Sequence, residues 1–199
     1  MSDFWGSSFM RSLRALAPEA WLSFPELDAG RVRLRRIVAA DASALFAIHG
    51  DAERMRWYGA SPLASERDAV TLVRSFAAER HRPDPGIRWA IERKDQPGLI
   101  GTCGFFDVQR ARGTCLIGYE IAGHAQGHGY MREALQCAIA WAWDGLEVHR
   151  IEAQVHPENR RSLAVLDKLG FVVEGTQRGV GFRGGRFHDM LLLSLLRGA

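Results

Sequence analysis

Hydrophobic and polar positions alternate along several short stretches of the chain, and such alternation predicts β-strands. The first stretch, Arg31 to Ile37, alternates basic and apolar residues. Turn residues at 95–98 and 109–113 separate three further stretches, which are Ile87 to Arg93, Leu99 to Phe106 and Thr114 to Ile121. Because sequential strands joined by short links pair with their neighbours, this part of the chain predicts an antiparallel meander.

Apolar residues recur at helical spacing in four other segments. The predicted helices run from an Asp41 cap to His49, from a Ser65 cap through Glu66 to Arg80, from Gly129 to Asp144, and from Arg160 to Leu169 with Gly170 as its C-terminal cap. A strand at Arg150 to Val155 follows the third helix, and a connection of this length predicts parallel pairing of the flanking strands. Two last strands, Phe171 to Gln177 and His188 to Leu196, are separated by a glycine-rich turn at Gly179 to Gly185.

The order of these elements predicts an α/β fold with a mixed, mostly antiparallel central sheet of about six to seven strands, flanked by helices. A chain of 199 residues fits one globular domain. We place that domain at residues 31–199. Residues 1–30 lack a sustained period, and Pro18 and Pro25 interrupt any helix there, so this segment is treated as an N-terminal extension.

Composition limits the classes of molecule that the protein is expected to bind. The formal charge of +3 is small and scattered, which argues against direct nucleic-acid binding and suits a small polyanionic cofactor. Charged residues interrupt the apolar N-terminus before a signal peptide or a membrane span is complete. The three cysteines lie far apart, so we expect a reducing, cytoplasmic location. We also expect the protein to be either a monomer or a homodimer.

A glycine-spaced turn between the Thr114 to Ile121 strand and the next helix is the clearest chemical signal. Gly127 and Gly129 precede the helix, and such a junction directs backbone N–H groups and the positive end of the helix dipole at one point. A phosphate or pyrophosphate is the group that such a turn binds. A P-loop would need Lys followed by Ser or Thr, and a dinucleotide fingerprint would need a third glycine and a later acidic residue; the sequence offers neither.

Gln126-Gly127-His128-Gly129-Tyr130, followed by Arg132-Glu133-Ala134-Leu135, resembles the coenzyme A signature of the GNAT superfamily of N-acetyltransferases. Met131 departs mildly from the Gly or Ala expected at the last position of that signature. Further segments are similar to the branch of ribosomal-protein alanine and serine N-terminal acetyltransferases, namely Arg88 to Ile91, Ile100-Gly101, His149 to Ala153, Pro157-Glu158-Asn159, Ser162, Lys168 to Phe171, Glu174-Gly175 and Gly184 to Asp189.

The resemblance implies a GNAT-like acyl-CoA N-acyltransferase fold and assigns roles to particular residues. The backbone of Ile121 and Ala122 is expected to hydrogen-bond the pantetheine of acetyl-CoA, the co-substrate. Asn159 is expected to contact the pantetheine or the acetyl group, and it is equally a candidate helix N-cap. Ser162 is expected near the sulfur. The pyrophosphate is expected on Gln126, Gly127, His128, Gly129, Tyr130 and Met131.

Many members of the superfamily use a tyrosine as general acid four residues before the Gly-Phe pair, and here that position is Leu166. Ser162 is our candidate for protonating the thiolate, directly or through a water, with an inert helix-face serine as the alternative. Glu120 is our candidate base acting through water, with a structural carboxylate as the alternative. His156 and Glu174 are weaker candidates, and the turn near Gly181 lacks the carboxylate that some members of the branch carry.

No metal is expected, because His124 and His128 straddle a glycine loop instead of sharing a helix face. Trp57 and Tyr58 are candidates for an acceptor pocket, whereas Trp89 suits the core. The predicted function is direct transfer of an acetyl group to a primary amine in a ternary complex, with the N-terminal amine of a ribosomal or other protein as the leading acceptor. A small amine (aminoglycoside or polyamine) is the first alternative, which acidic residues Asp51, Glu53, Glu66 and Asp68 would favour; a non-catalytic acyl-CoA sensor is the second.

Overall fold

The computed structural model describes residues 23–58, 61–81 and 85–198, and these residues form an eight-stranded mixed sheet. Its spatial order is β1-β2-β3-β4-β5-β6-β8-β7. The strands are β1 (Leu27–Ala29), β2 (Val32–Arg36), β3 (Ile87–Arg93), β4 (Leu99–Gln109), β5 (Thr114–Ile121), β6 (Arg150–Val155), β7 (Val172–Arg183) and β8 (Arg186–Leu196).

Five α-helices connect the strands within the described residues. They are α1 (Ala42–His49), α2 (Ala52–Met55), α3 (Glu66–Ala78), α4 (Tyr130–Gly145) and α5 (Arg160–Asp167). The Ser65 side chain accepts a hydrogen bond from the Asp68 N–H and so caps α3 as predicted. Asp41 is the residue before α1, but its carboxylate accepts from the Val38 N–H and from Arg35 instead of capping that helix.

Strand pairing confirms the predicted mixed sheet. Strands β1 to β5 pair antiparallel in sequence order, and β5 pairs parallel with β6 across the connection that contains α4. Strand β8 then pairs antiparallel with both β6 and β7. The sheet is therefore antiparallel everywhere except at the junction of β5 and β6.

The strands differ most from the prediction at three places. The sheet gains β1, whose residues Leu27–Ala29 pair with β2 although the sequence analysis assigned them to the N-terminal extension; residues 1–22 of that extension lie outside the described residues. Strand β4 continues to Gln109. Strands β7 and β8 meet at a two-residue turn, Gly184-Gly185, where both glycines have positive φ, so most of the predicted turn at Gly179 to Gly185 belongs to β7.

Helices cover both faces of the sheet. On one face, α4 and α5 bury Leu135, Ala138 and Leu166 against the central strands. On the other, α1 and α3 bury a smaller cluster that includes Leu45 and Val73. Among the described helices, none has the length and apolar character required to cross a membrane.

Candidate active site

An opening between β5 and β6 lies at the centre of the sheet. The two strands pair at Thr114 to Leu116 with Arg150 to Glu152, and β5 continues for five residues past that register. Beyond Leu116, the side of β5 that faces β6 carries backbone groups that the described register does not assign to a strand partner. A polar ligand could therefore bind along this edge as a strand would.

Hydrogen bonding differs between Ile121 and Ala122, the two residues whose backbone groups are predicted to bind pantetheine. The Ala122 N–H donates to the Ile100 carbonyl at 2.8 Å, so it is already engaged with β4. Because antiparallel residues alternate in the direction of their backbone groups, Ile121 directs its N–H and C=O away from β4, toward the opening. The geometry thus favours Ile121 over the amide of Ala122 as a backbone contact.

The glycine turn lies directly beyond the end of β5. Gly127 has φ +80° and Gly129 has φ +83°, both in the left-handed region that glycine tolerates best. Gly129 is the N-cap of α4, and the first turn of a helix presents N–H groups that have no intrahelical acceptor. The Gln126 N–H is the exception within the predicted motif, because it donates to the Gly123 carbonyl at 3.2 Å.

Side chains around the turn hold it in place. Arg161 donates to the Gln126 side-chain carbonyl, and Arg31 donates to the His128 carbonyl at 2.8 Å while also bonding Glu133 of α4. The side chains of Tyr130 and Met131 are buried in the core. An anion would therefore contact these two residues through their backbone N–H groups. The turn is a pre-formed cradle between β5 and α4.

Asn159 and Ser162 lie at the start of α5, across the opening from β5. The Asn159 side chain accepts from the Ser162 N–H at 3.2 Å, which makes it a helix N-cap. The Ser162 hydroxyl forms a 2.6 Å hydrogen bond with the hydroxyl of Tyr119 on β5. Burial raises the pKa of Tyr119 to about 12 although the bond to Ser162 acts in the opposite direction.

Tyr119 is a candidate functional residue that sequence reasoning missed. It precedes Glu120 on the strand, so the two side chains project to opposite faces. Tyr119 packs on the face covered by α4 and α5, whereas Glu120 contacts His49 of α1. Leu166, at the position where relatives often carry a tyrosine, is 0% exposed in the core. Strand alternation was the signal that could have placed Tyr119 on the sheet face opposite Glu120.

Glu120 is 9% exposed and accepts hydrogen bonds from four side chains. Burial would raise its pKa, but Arg88 and the bonds from His49 and Thr102 outweigh burial and lower the pKa to about 2. The distances are 2.5 Å from Arg88 and 3.1 Å from His49 Nε2. The hydroxyl groups of Tyr58 and Thr102 donate the other two hydrogen bonds to Glu120. Glu120 is thus a fully occupied carboxylate on the face opposite Ser162.

The side chains of the weaker candidates, Glu174 and His156, contact groups other than Ser162. Glu174 pairs with Arg150 at 2.7 Å and accepts from Ser194, and these bonds lower its pKa to about 2. The His156 ring lies beside that of Trp57, with centroids 5.0 Å apart and ring planes tilted by 42°. Trp89 is a core residue whose Nε1 donates to the Pro25 carbonyl. Within the described residues, the search for a group of metal-binding side chains finds none.

The structure thus combines a mixed sheet that opens between two parallel central strands with a glycine turn on one side of the opening and a hydroxyl pair on the other. A family model described as an acetyltransferase (GNAT) domain matches residues 31–172. The chain therefore belongs to the GNAT acetyltransferase family, whose members use acetyl-CoA, and it is an acetyl-CoA-dependent N-acetyltransferase.

Similar proteins agree with this family. An uncharacterized N-acetyltransferase of Bacillus subtilis, YoaA, is 34% identical over 174 residues, covering 87% of this chain and 98% of the relative. The ribosomal protein uS5 alanine N-acetyltransferase of Escherichia coli is 33% identical over 118 residues, 59% of this chain and 61% of that protein. The solved structure of Mycobacterium smegmatis RimJ in complex with CoA-disulfide superposes with a TM-score of 0.76 at 26% identity, covering 86% of each chain.

Proposed function

We propose that acetyl-CoA lies in the opening between β5 and β6 and that its acetyl group passes directly to the N-terminal amine of a protein bound on the other side of the sheet. The observation that carries the proposal is the alignment of three groups along that opening. The Gln126 to Met131 turn would bind the pyrophosphate, the backbone of Ile121 the pantetheine, and Ser162 the sulfur end.

The leaving thiolate needs a proton donor, and the hydroxyl pair supplies one. Ser162 and Tyr119 share a 2.6 Å hydrogen bond, so a proton given up by Ser162 can be replaced from Tyr119. Its raised pKa keeps Tyr119 protonated at neutral pH. In this proposal Ser162 donates to the sulfur, and Asn159 holds the first turn of α5 in register while contacting the bound coenzyme.

The attacking amine must be neutral, and the base that receives its proton remains a prediction. A carboxylate with a pKa of about 2 is a weak base near neutral pH, so Glu120 would act only by way of a water molecule. An α-amino group has a reference pKa of about 8, against about 10.4 for lysine, and is partly neutral without assistance. An N-terminal amine therefore makes the smallest demand on this site.

The ribosomal character of the acceptor rests on relatives. The Escherichia coli enzyme that is 33% identical over 118 residues modifies an alanine of ribosomal protein uS5, as its name states. The similarity covers 61% of that protein. The proposal therefore includes a ribosomal-protein acceptor and a cytoplasmic location.

The test is intact-protein mass analysis of ribosomes from a deletion strain, incubated with the purified protein and isotopically labelled acetyl-CoA. One ribosomal protein gaining a single acetyl group at its N-terminus is the expected result. Confirmed acetyl-CoA binding without any labelled ribosomal protein would contradict the ribosomal acceptor. Labelling of an aminoglycoside or polyamine in parallel reactions would then identify a small amine, and absence of transfer to every amine would identify a sensor.

A further inference from the structure

A small, solvent-open pocket of about 40 Å³ lies beside the proposed transfer point, between the segment after α2 and the β7–β8 hairpin. We call it the Trp57 pocket. Trp57 is its central ring, and His156 and His188 form the side that leads from β6 to β8, with their rings 5.5 Å apart. The pocket combines a flat apolar surface with nitrogen donors.

Two guanidinium groups flank the central ring of the Trp57 pocket. The Arg56 Cζ atom lies 4.4 Å from the centroid of the Trp57 ring and that of Arg183 lies 5.5 Å from it. They arrive from different elements, since Arg56 follows α2 and Arg183 ends β7. Burial is the main cause that lowers the pKa of His156; Arg183 and His188 act in the same direction, and Glu158 acts against them. The shift favours the neutral ring, which can both donate and accept a hydrogen bond.

The acidic groups near the Trp57 pocket leave it positive. Glu53 pairs with Arg56 at 2.5 Å, but both side chains are about half exposed or more, so solvent screens that pair. Arg183 has no carboxylate partner among the described ion pairs. Asp51 is engaged in capping α2 and in a bond to Arg54, and Asp68 bonds Ser65, so neither carboxylate lines the pocket.

The Trp57 pocket adjoins both sides of the proposed active site. Tyr58, which lines it, donates to Glu120 at the end of β5, one residue before Ile121. On the other side, the His156 carbonyl accepts from the Asn159 N–H at 2.9 Å at the start of α5. A group bound over Trp57 would therefore belong to the same acceptor whose amine reaches the acetyl group.

We propose that the Trp57 pocket binds a carboxylate of the acceptor through the N–H groups of Arg56 and Arg183, whose guanidinium groups lie over the Trp57 ring, so that the enzyme selects protein N-termini with an acidic residue close to the amine. The inference rests on the proposed function. It excludes polyamines as preferred acceptors, because a polycation would be repelled by both guanidinium groups.

The experiment measures kcat/KM for acetyl transfer to three peptides that differ at their third residue, which is aspartate, asparagine or lysine, with spermidine as a fourth acceptor. We expect the aspartate peptide to exceed the asparagine peptide by about tenfold, a ratio that one charge-assisted hydrogen bond supplies, and to exceed the lysine peptide by more. In R183Q, the preference for aspartate over asparagine should fall toward unity.

The matched control is R186Q. Arg186 is exposed and pairs with Arg183 in the hairpin register, but it does not line the Trp57 pocket. R186Q should keep the full preference, while R183E should favour the lysine peptide. The rate with the asparagine peptide and the affinity for acetyl-CoA show that each variant is folded.

The outcomes separate the two proposals. Equal rates with all three peptides, a spermidine rate above that of the aspartate peptide, or a preference that survives in R183Q would overturn the charge inference and leave acetyl transfer intact. If no amine is acetylated while acetyl-CoA binds, the proposed function itself fails and the inference fails with it.

Discussion

The hydroxyls of Tyr119 and Ser162 meet across the opening between β5 and β6. Their 2.6 Å separation makes them one hydrogen-bonded unit. Tyr119 is held by packing on the α4 and α5 face, and the Asn159 cap fixes the first turn of α5. Neither side chain needs to move for a proton to pass from one oxygen to the other.

We therefore predict that S162A and Y119F each lower kcat by about ten- to a hundredfold while the Kd for acetyl-CoA changes little, because each removes part of one proton path. The double variant should lose scarcely more than either single variant, since residues in one network are not additive. Steady-state kinetics together with calorimetric titration of acetyl-CoA provide the check. Full activity in S162A would remove Ser162 from the mechanism.

Sequence reasoning reached Ser162 through the resemblance but not Tyr119 or the partners of Glu120. A motif records spacing along the chain, whereas Tyr119 reaches Ser162 across 43 positions and Glu120 reaches His49 across 71. Leu166, at the position where the resemblance led us to expect a tyrosine, is an apolar core residue and cannot donate a proton. Side-chain pairing between elements needs the sheet register, which spacing alone does not provide.

At the scale of elements, the turn between β5 and α4 is the part most sensitive to charge. Gly129 has positive φ, and a Cβ at this position would lie 3.4 Å from the Arg31 guanidinium. A larger residue therefore incurs backbone strain of about 1–2 kcal/mol whatever its charge. A substitution that adds a negative charge would in addition repel the pyrophosphate.

The pair G129E and G129Q isolates that charge, because both side chains have the same length and share the same strain. We predict that G129E binds acetyl-CoA at least about tenfold more weakly than G129Q at low salt, and that about 1 M salt narrows the difference by screening. Gly184 has positive φ at the open β7–β8 turn and is the control position. There G184E and G184Q should bind equally well, and equal Kd values for the Gly129 pair would displace the anion site from this turn.

Elements were predicted well where their boundaries have a local cause. Ser65 caps α3, and Gly170 follows α5 with a positive φ. Both features were predicted from the residue type. Strand β1 was missed because three residues show no periodicity, and it is β2 that gives them a partner. The predicted β7 was too short because its glycines suggested a turn. In the structure the strand continues through Gly179, and its register with β8 shifts between Gln177 and Gly181.

At the scale of the whole molecule, the sheet consists of two parts joined at one short parallel register. Strands β1 to β5 form an antiparallel unit, and β6 to β8 form another. Three residue pairs between β5 and β6 join them. The parallel pairing of β5 with β6 was predicted because α4 is long enough for a parallel crossover, whereas the position of β8 between β6 and β7 was not predicted. Divergence of two strands leaves no mark in hydrophobic alternation, so residue patterning alone does not predict the opening.

The same geometry makes a prediction that one strand can test with its own control. The Ala122 amide donates to β4, whereas the Ile121 amide faces the opening. We predict that saturating acetyl-CoA slows hydrogen exchange at the Ile121 amide by at least about tenfold, because the pantetheine takes the place of a strand partner, while exchange at Ala122 changes far less. Residue-resolved exchange measured by NMR distinguishes the two neighbours. If Ile121 exchanges at the same rate with and without coenzyme, while binding is confirmed by titration, then acetyl-CoA does not bridge the two parts of the sheet and the proposed placement is wrong.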